Sequence, residues 1–251
     1  MRIGFIGAGN MASALARGLG QPLVCSDVDA ARALALAAEL GGEAAADNAA
    51  VVAASDLVIL CHKPAQLGSV AAAIDAGDTI IVSLLGGVAL AEVRAAYPGA
   101  RVYRIMPNTA VEIRSGVVGL VDDDAGDPAA FAAVQELLSP AGEVIVLPEA
   151  QFGPLTAVSG VGPAYAALVA EAQIDAAVRA GIPAPVAARL VGAAMAGSAA
   201  LLQARDMDTL AVRRAVTSPG GITARGLAAL EAGGIRAAFD DAMDAVLEAG
   251  A

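Results

Sequence analysis

Arg2-Ile3-Gly4-Phe5-Ile6-Gly7-Ala8-Gly9-Asn10-Met11-Ala12 is the stretch whose reading decides the fold. A short apolar run ends in Gly7-x-Gly9-x-x-Ala12, and Met11, Leu15 and Leu19 then recur four residues apart, along one face of a helix. The order is strand, glycine turn, helix. In such a unit the first glycine permits a tight turn, the second lets the backbone approach a pyrophosphate, and a small third residue brings the helix close to the strand. Unpartnered amides at the helix start attract the phosphate charge. The stretch predicts a dinucleotide site on the backbone from Ile6 through Gly7, Ala8, Gly9 and Asn10 to Met11.

Outward from there, Leu23-Val24-Cys25 reads as a second strand, ending in Ser26-Asp27 at the place where a ribose-recognition residue belongs, about 20 residues past Gly7. An acid there suits a free 2′-hydroxyl, whereas a small hydroxyl residue is compatible with a 2′-phosphate, so NAD and NADP both stay open. Asp27 reads equally well as the cap of a helix beginning near Ala30. An alanine and leucine helix over 31–40 follows, and Asp47-Asn48 opens a short one. Leu57-Val58-Ile59-Leu60-Cys61 and Thr79-Ile80-Ile81-Val82-Ser83 are continuous apolar runs, the pattern of parallel strands covered on both faces. Gly86-Gly87, a helix over 90–96, a strand over 101–105, further strands over 117–121 and 143–147, and a helix over 128–138 complete an α/β region over 1–150. From Gln151 the texture changes to long alanine-rich helical patterns, giving a second, all-α domain over 151–251. The fold class is α/β, an N-terminal Rossmann-type, mostly parallel sheet followed by a C-terminal helical dimerisation domain. Helices this apolar pack on a partner chain more readily than they face water, which predicts a homodimer.

The chain has 251 residues, enough for a substantial core, and 57% of them are hydrophobic. A formal charge of −11 argues against binding nucleic acid phosphates. Much of the apolar content is alanine, and no stretch approaches the roughly 20 bulky apolar residues of a membrane span. The opening lacks the basic segment, apolar core and small-residue site of an exported chain, so a cytoplasmic protein is expected. Cys25 and Cys61 sit at the ends of apolar runs, as reduced buried thiols do. With one histidine and no close cysteine pair, no metal site is expected.

His62-Lys63-Pro64 brings together the only histidine and the only lysine of the chain at one strand end. Lys63 is suited to a nicotinamide ribose or a substrate carboxylate. His62 either lines the cofactor or is simply packed at the strand end, and Pro64 fixes the exit of the loop. Arg104-Ile105-Met106-Pro107-Asn108-Thr109 ends the next strand with an amide and a hydroxyl aimed at the same crevice. Ser159-Gly160-Val161-Gly162-Pro163-Ala164-Tyr165 is a small-residue turn into the first long helix. Thr217-Ser218-Pro219-Gly220-Gly221-Ile222-Thr223 places a hydroxyl, two glycine amides and Thr223 at a helix start, an arrangement able to bind a carboxylate.

Taken together, Gly4 to Ala12, Lys63-Pro64, Arg104 to Asn108, Ser159-Gly160 with Gly162 to Tyr165, Glu171-Ala172 and Val216 to Gly221 resemble the pyrroline-5-carboxylate reductase family over nearly the whole chain. The resemblance implies reduction of a cyclic imino acid to L-proline with NADPH or NADH. It implies cofactor contacts at the Ile6 to Met11 backbone, Ser26, Asn48, His62, Lys63 and Gly86. Glu149, Ile222 and Thr223 would lie at the substrate, with the Ser218 to Gly221 loop on its carboxylate. It also implies helical domains that interlock into dimers able to assemble further. The sequence departs from the family pattern at His62, Ala65, Gly86 and Val161, where valine, glutamine, alanine and serine are usual; a glutamine follows one place late, at Gln66. These changes keep a reductase of a related cyclic imine in view. A non-catalytic nucleotide-binding regulator and a hydroxyacid dehydrogenase are the other readings. The second domain has no lysine for a dehydrogenase, and the Ser218 to Thr223 cluster counts against a regulator.

Overall fold

A computed structural model of the chain describes residues 1–122 and 127–249. Strand β1 (Ile3–Ile6) enters the turn at Gly7 and α1 (Asn10–Leu19), whose C-cap Gly20 adopts the left-handed conformation that ends a helix at low cost. The chain then alternates: β2 (Leu23–Ser26), α2 (Ala30–Leu40), β3 (Glu43–Ala44), α3 (Asn48–Ala53), β4 (Leu57–Leu60), α4 (Leu67–Ala72), β5 (Ile80–Ser83), α5 (Leu90–Ala96) and β6 (Arg101–Pro107). After β7 (Gly116–Val121) come α6 (Pro128–Leu138) and β8 (Gly142–Leu147). The sheet order is β3-β2-β1-β4-β5-β6-β7-β8, parallel from β3 to β6, with β7 antiparallel to β6 and β8 parallel to β7. β3 was not legible as a strand, being two residues of a polar-flanked segment.

The apolar runs fill both faces of this sheet. Ile3, Phe5, Leu57 and Ile59 belong to one core with Leu15 of α1, while Ile6, Val58, Leu60 and Ile81 belong to the other with Val51 and Val93. Each such fully buried aliphatic side chain contributes about 1.5–3 kcal/mol, so the parallel arrangement is fixed by where these side chains go. Register aligns Ser26, Ile6, Leu60 and Ser83, the last residues of four strands, in one row with Arg104 in the middle of β6. The chain runs outward from β1 through β2 to β3 and restarts on the other side at β4, which makes β1/β4 the switch point where ligands of such sheets bind.

The helix after β2 is capped by Asp29, whose carboxylate accepts from the Ala31 amide at 3.1 Å. This corrects the reading of Asp27 as that cap. Asp47 caps α3 through the Ala50 amide at 2.8 Å.

Two compact units divide the chain, Met1–Pro163 with the chain's end from Val246, and Ala164–Ala245. The change of texture at Gln151 therefore falls inside the first unit, which also holds α7 (Phe152–Leu155) and a π-helical turn at Thr156–Gly160. Helix α8 (Gly162–Arg179) leads into the second unit, followed by α9 (Ala184–Gln203), α10 (Thr209–Val216), α11 (Ile222–Ala232) and α12 (Ile235–Ala249). Among the described residues of the second unit only Ala187 and Val191 are buried, while Leu168, Leu190 and Leu210 stand about half or more exposed. The Glu149–Arg179 segment and α9 are long and apolar enough, by length and composition, to cross a membrane. That corrects the expectation that no stretch reaches this threshold: alanine lifts the hydropathy where bulky side chains do not.

Candidate functional site

The carboxyl ends of β1, β2 and β4 open onto a cleft of about 530 Å³. Ile6, Gly7, Gly9, Asn10 and Met11 line it from the first loop. Asp27 and Asn48 line it from the β2 side, and His62, Lys63 and Pro64 from the end of β4. Gly7 has φ +103°, and a side chain there would meet the Cys61 carbonyl carbon at 2.8 Å and its oxygen at 2.9 Å. Only glycine fits. Gly9 differs: its φ of −74° and ψ of −176° suit any residue, and a side chain would enter open space. As N-cap of α1 it supplies no side-chain bond, so the amides at the helix start face the cleft uncapped. A crowded first glycine, an open second one and an uncapped helix terminus form a cradle that fits a dinucleotide pyrophosphate.

Asp27 is already engaged. Its Oδ2 accepts from the Ala8 amide at 2.7 Å and its Oδ1 from the Asp29 amide at 2.8 Å. The carboxylate thus braces the glycine loop against the end of β2. Ser26, 4% exposed, donates its hydroxyl to Asn48 Oδ1 at 2.7 Å and borders a neighbouring groove with Asp47. Arg32, a residue that sequence reasoning missed, lines both the main cleft and the groove between α1 and α2. Its Nε lies 3.4 Å from Asp29 Oδ2. Its place on the first turn of α2, within reach of the β2 end, was the available signal.

At the end of β4, the Lys63 amide donates to Gln66 Oε1 at 3.1 Å and the Gln66 amide donates to the Lys63 carbonyl at 2.9 Å. The glutamine that stands one place late in sequence thus fastens the Lys63 turn. Lys63 itself is exposed. His62 Nδ1 lies 2.9 Å from the Lys63 carbonyl; since a carbonyl only accepts, Nδ1 carries the proton and Nε2 is a bare acceptor. Nε2 is buried without a hydrogen-bond partner among the described residues, and burial holds the imidazole pKa below its ordinary value. Burial also pushes the Cys25 and Cys61 thiols up, as suits reduced, unreactive cysteines.

Arg104 of β6 and Asn108, just past its end, hold the segment after β8. Arg104, 8% exposed, donates through Nη1 to Glu149 Oε1 at 2.6 Å, and its guanidinium lies 4.9 Å over the Phe152 ring. The same Glu149 oxygen accepts from the Leu90 amide at the start of α5 at 2.7 Å. Asn108 accepts from the Val117 amide at 3.2 Å and donates to Ser159 Oγ at 3.2 Å within the π-helical turn. The Asn108 amide is therefore committed to β7 and to that turn, a correction to its reading as a crevice-facing group. π turns of this kind recur at functional sites. Gly86 lies on the loop between β5 and α5, outside the lining of the cleft, to which that loop contributes Leu84.

In the second unit, Ser218 to Gly221 forms a tight turn closed by the Gly221 amide donating to the Ser218 carbonyl at 3.0 Å, with Gly220 at φ +70°. Ser218 Oγ lies so close over Gly221 that a side chain there would collide with it. Gly221 is the N-cap of α11 and supplies no side-chain bond, leaving that terminus open as well. Ile222 is 90% exposed and Thr223 half-buried in the first turn. The cluster can receive a carboxylate on backbone amides next to one hydroxyl.

Comparison with known proteins accounts for both ends of the chain. A family profile described as "pyrroline-5-carboxylate reductase dimerisation" matches residues 149–251, and one described as "NADP oxidoreductase coenzyme F420-dependent" matches 2–87. The pyrroline-5-carboxylate reductase of Methanosarcina acetivorans is 35% identical over 99% of this chain and 95% of its own length. That of Pseudomonas aeruginosa is 35% identical over 97% of this chain and 93% of its own. Among solved structures, the 1-pyrroline-5-carboxylate reductase of Streptococcus pyogenes superposes with TM-score 0.90 at 30% identity, covering 100% of this chain and 98% of that one. A Plasmodium falciparum pyrroline carboxylate reductase with NADP bound shares the fold, with TM-score 0.87 at 24% identity over 100% of this chain and 97% of that one. With the glycine elbow, the Lys63-Pro64 turn and the Ser218 to Thr223 cluster all in place along this full-length match, the chain belongs to the pyrroline-5-carboxylate reductase family.

Proposed function

We propose that the chain reduces 1-pyrroline-5-carboxylate to L-proline with NADPH or NADH, in the cytoplasm, as a homodimer assembled through its 149–251 region. The observation that carries the reading is the match at 35% identity across 99% of the chain, which takes in both the nucleotide cleft and the Ser218 to Thr223 cluster. When bound, the reduced nicotinamide supplies the hydride that the imine carbon accepts. The chain's own groups bind and orient. The open terminus of α1 holds the pyrophosphate, with Lys63 and Pro64 at the cleft edge. The amides of Gly220 and Ile222, with the Ser218 hydroxyl, receive the substrate carboxylate. Thr223 hydrogen-bonds the ring nitrogen. A protonated imine is already electrophilic, so positioning accounts for most of the acceleration and no buried acid is needed. His62 fits that account: its neutral ring and enclosed Nε2 make it a cleft wall and not a proton donor.

Between the two nucleotides the reading favours NADPH. Both oxygens of Asp27 are taken by backbone amides, while Arg32 stands at the rim with a guanidinium matched to a 2′-phosphate. The formal charge of −11 speaks against nucleic acid as a partner. The apolar faces of α8 and α9 are assigned to a second copy in place of a lipid bilayer, since they lie in the region matched by the dimerisation profile; dimers are free to assemble further. The test follows loss of reduced-nucleotide absorbance with pyrroline-5-carboxylate and with its six-membered homologue. Turnover of the five-membered ring with preference for NADPH is expected. Turnover of the homologue alone moves the assignment to a related cyclic imine, and nucleotide binding without turnover of either moves it to a regulator.

A further inference from the structure

Glu149 lies, by family resemblance, at the substrate, yet one of its oxygens is wholly occupied by the chain itself. Oε1 accepts from Arg104 Nη1 at 2.6 Å and from the Leu90 amide at 2.7 Å, and the Arg104 guanidinium in turn lies over the Phe152 ring. Arg104 pairs in register with Ser83, the last residue of β5, from which the loop over 84–89 departs. The loop is therefore tied at both ends to the neighbourhood of Arg104, by strand pairing at its start and by the Arg104–Glu149 pair at its end. At its start it leaves the strand beside Arg104, and at its end the first amide of α5 is tied to the carboxylate that Arg104 holds. Within it Gly87 takes φ +74°, and side chains at Gly86 and Gly87 would meet nothing. Leu85 and Val88 seat the loop in the core on either side of this glycine pair, so the Glu149 bond acts on its last turn, where the chain enters α5. Leu84, at its start, lines the nucleotide cleft.

We propose that Glu149 is a positioning residue for the nucleotide side of the site: with Arg104 it clamps α5 and so sets the Leu84 to Ala89 loop at the edge of the nicotinamide half of the cleft. This rests on the family reading for which ligand enters the cleft. The anchor itself rests on the geometry alone. A carboxylate gives both bonds to this oxygen the strength of a charged acceptor. Glutamine keeps an oxygen able to accept from both donors but removes the charge that pairs with Arg104.

The test uses the full-length dimer. Glu149→Gln is expected to raise amide exchange at least about tenfold in the 84–90 segment and to weaken NADPH binding, read by fluorescence titration, about tenfold, as loss of a charge-assisted bond does. Exchange at 218–223 stays unchanged. Leu90→Pro removes the amide but leaves the ion pair; because it also replaces a buried leucine, its NADPH affinity is compared with that of Leu90→Ala, which loses the packing and keeps the amide. Proline is accepted at the first helical position, and Ala89 at φ −72°, ψ 152° already has the conformation that precedes it. It is expected to weaken NADPH to a similar degree, and it carries the test should Glu149→Gln fail to fold. Weakened NADPH in Glu149→Gln with none in Leu90→Pro overturns the proposal in favour of direct ligand contact. A changed substrate KM at unchanged NADPH affinity overturns it in favour of a substrate contact. Wild-type protein that binds NADPH but turns over no imine refutes the functional assignment and leaves the exchange and affinity arms readable.

Discussion

Two glycines two residues apart should fail in opposite ways when given a methyl group. At Gly9 the backbone, φ −74° and ψ −176°, is ordinary for alanine, and the new methyl meets no atom within 4 Å. Replacing glycine in a compatible conformation narrows the unfolded ensemble and stabilises by about 0.4–1 kcal/mol. The same methyl projects into the cleft and keeps an anion from the amides of α1. Losing one charge-assisted bond of about 1.5–3 kcal/mol corresponds to roughly 10- to 100-fold in affinity. At Gly7 the φ of +103° alone costs an L-residue about 1–2 kcal/mol. The methyl must also displace the Cys61 backbone, which lies at 2.8 Å and 2.9 Å; overpacking of this kind adds about 1–3 kcal/mol. Gly7→Ala is thus expected to lose about 2–5 kcal/mol of stability, and Gly9→Ala none, while both lose nucleotide binding. Urea unfolding gives the first quantity and NADPH titration the second. Wild-type affinity in Gly9→Ala would refute the placement of the pyrophosphate, and wild-type stability in Gly7→Ala would refute the reading of the turn.

Three further outcomes follow from single side chains. Folding lowers the His62 pKa, so between the ordinary value near 6.5 and the folded one the unfolded chain binds a proton that the folded chain does not. Stability therefore falls with acid through that window, and His62→Gln should flatten the fall; an unchanged pH profile contradicts the buried neutral ring. Arg32→Ala should cut the NADPH-over-NADH ratio of kcat/KM about tenfold, the value of one charge-assisted bond to a 2′-phosphate, with little change for NADH. Thr223→Ala should lower kcat/KM by about 1.5–3 kcal/mol in the barrier, and unchanged kinetics would remove the proposed contact with the ring nitrogen.

The nucleotide half was legible because each of its signals is local. The Gly7 to Ala12 spacing, the unbroken apolar runs at Leu57 to Leu60 and Ile80 to Ser83, and the helix start at Asp47 act within a few residues, and the structure uses them as read. What escaped depends on partners far apart in sequence. Asp27 reads as a ribose acid or a helix cap until the Ala8 amide, 19 residues away, is seen to claim it. Asn108 reads as a crevice amide until Ser159, 51 residues on, takes its donor. Arg104, Glu149 and Leu90 form one cluster across 59 residues, and no pattern within any single segment announces it.

The second unit raises a different question, since so little of it is buried within one chain. Beyond Pro163 the sequence supplies Leu168, Leu190, Leu210, Val216, Leu230 and Phe239, all about half exposed or more, against only Ala187 and Val191 buried among the described residues. Apolar burial at about 25 cal/mol per Å² is the main favourable term in folding, so these helices cannot be held by their own chain to the degree the sheet is. Their stability must come with a second copy, in the region that matches the dimerisation profile. Unfolding of this unit is then coupled to dissociation, and mass action applies: raising the protein from near its dimer dissociation constant to 100 times that value adds about 2.3 kcal/mol. The nucleotide cleft lies wholly within the first unit and has its own two-sided core. Dilution should therefore lower the Tm of the helical transition while NADPH affinity persists in the monomer. A Tm unchanged across a roughly 100-fold dilution series spanning dissociation by sedimentation would show that the helices hold themselves together, and would refute the account of their exposed apolar faces.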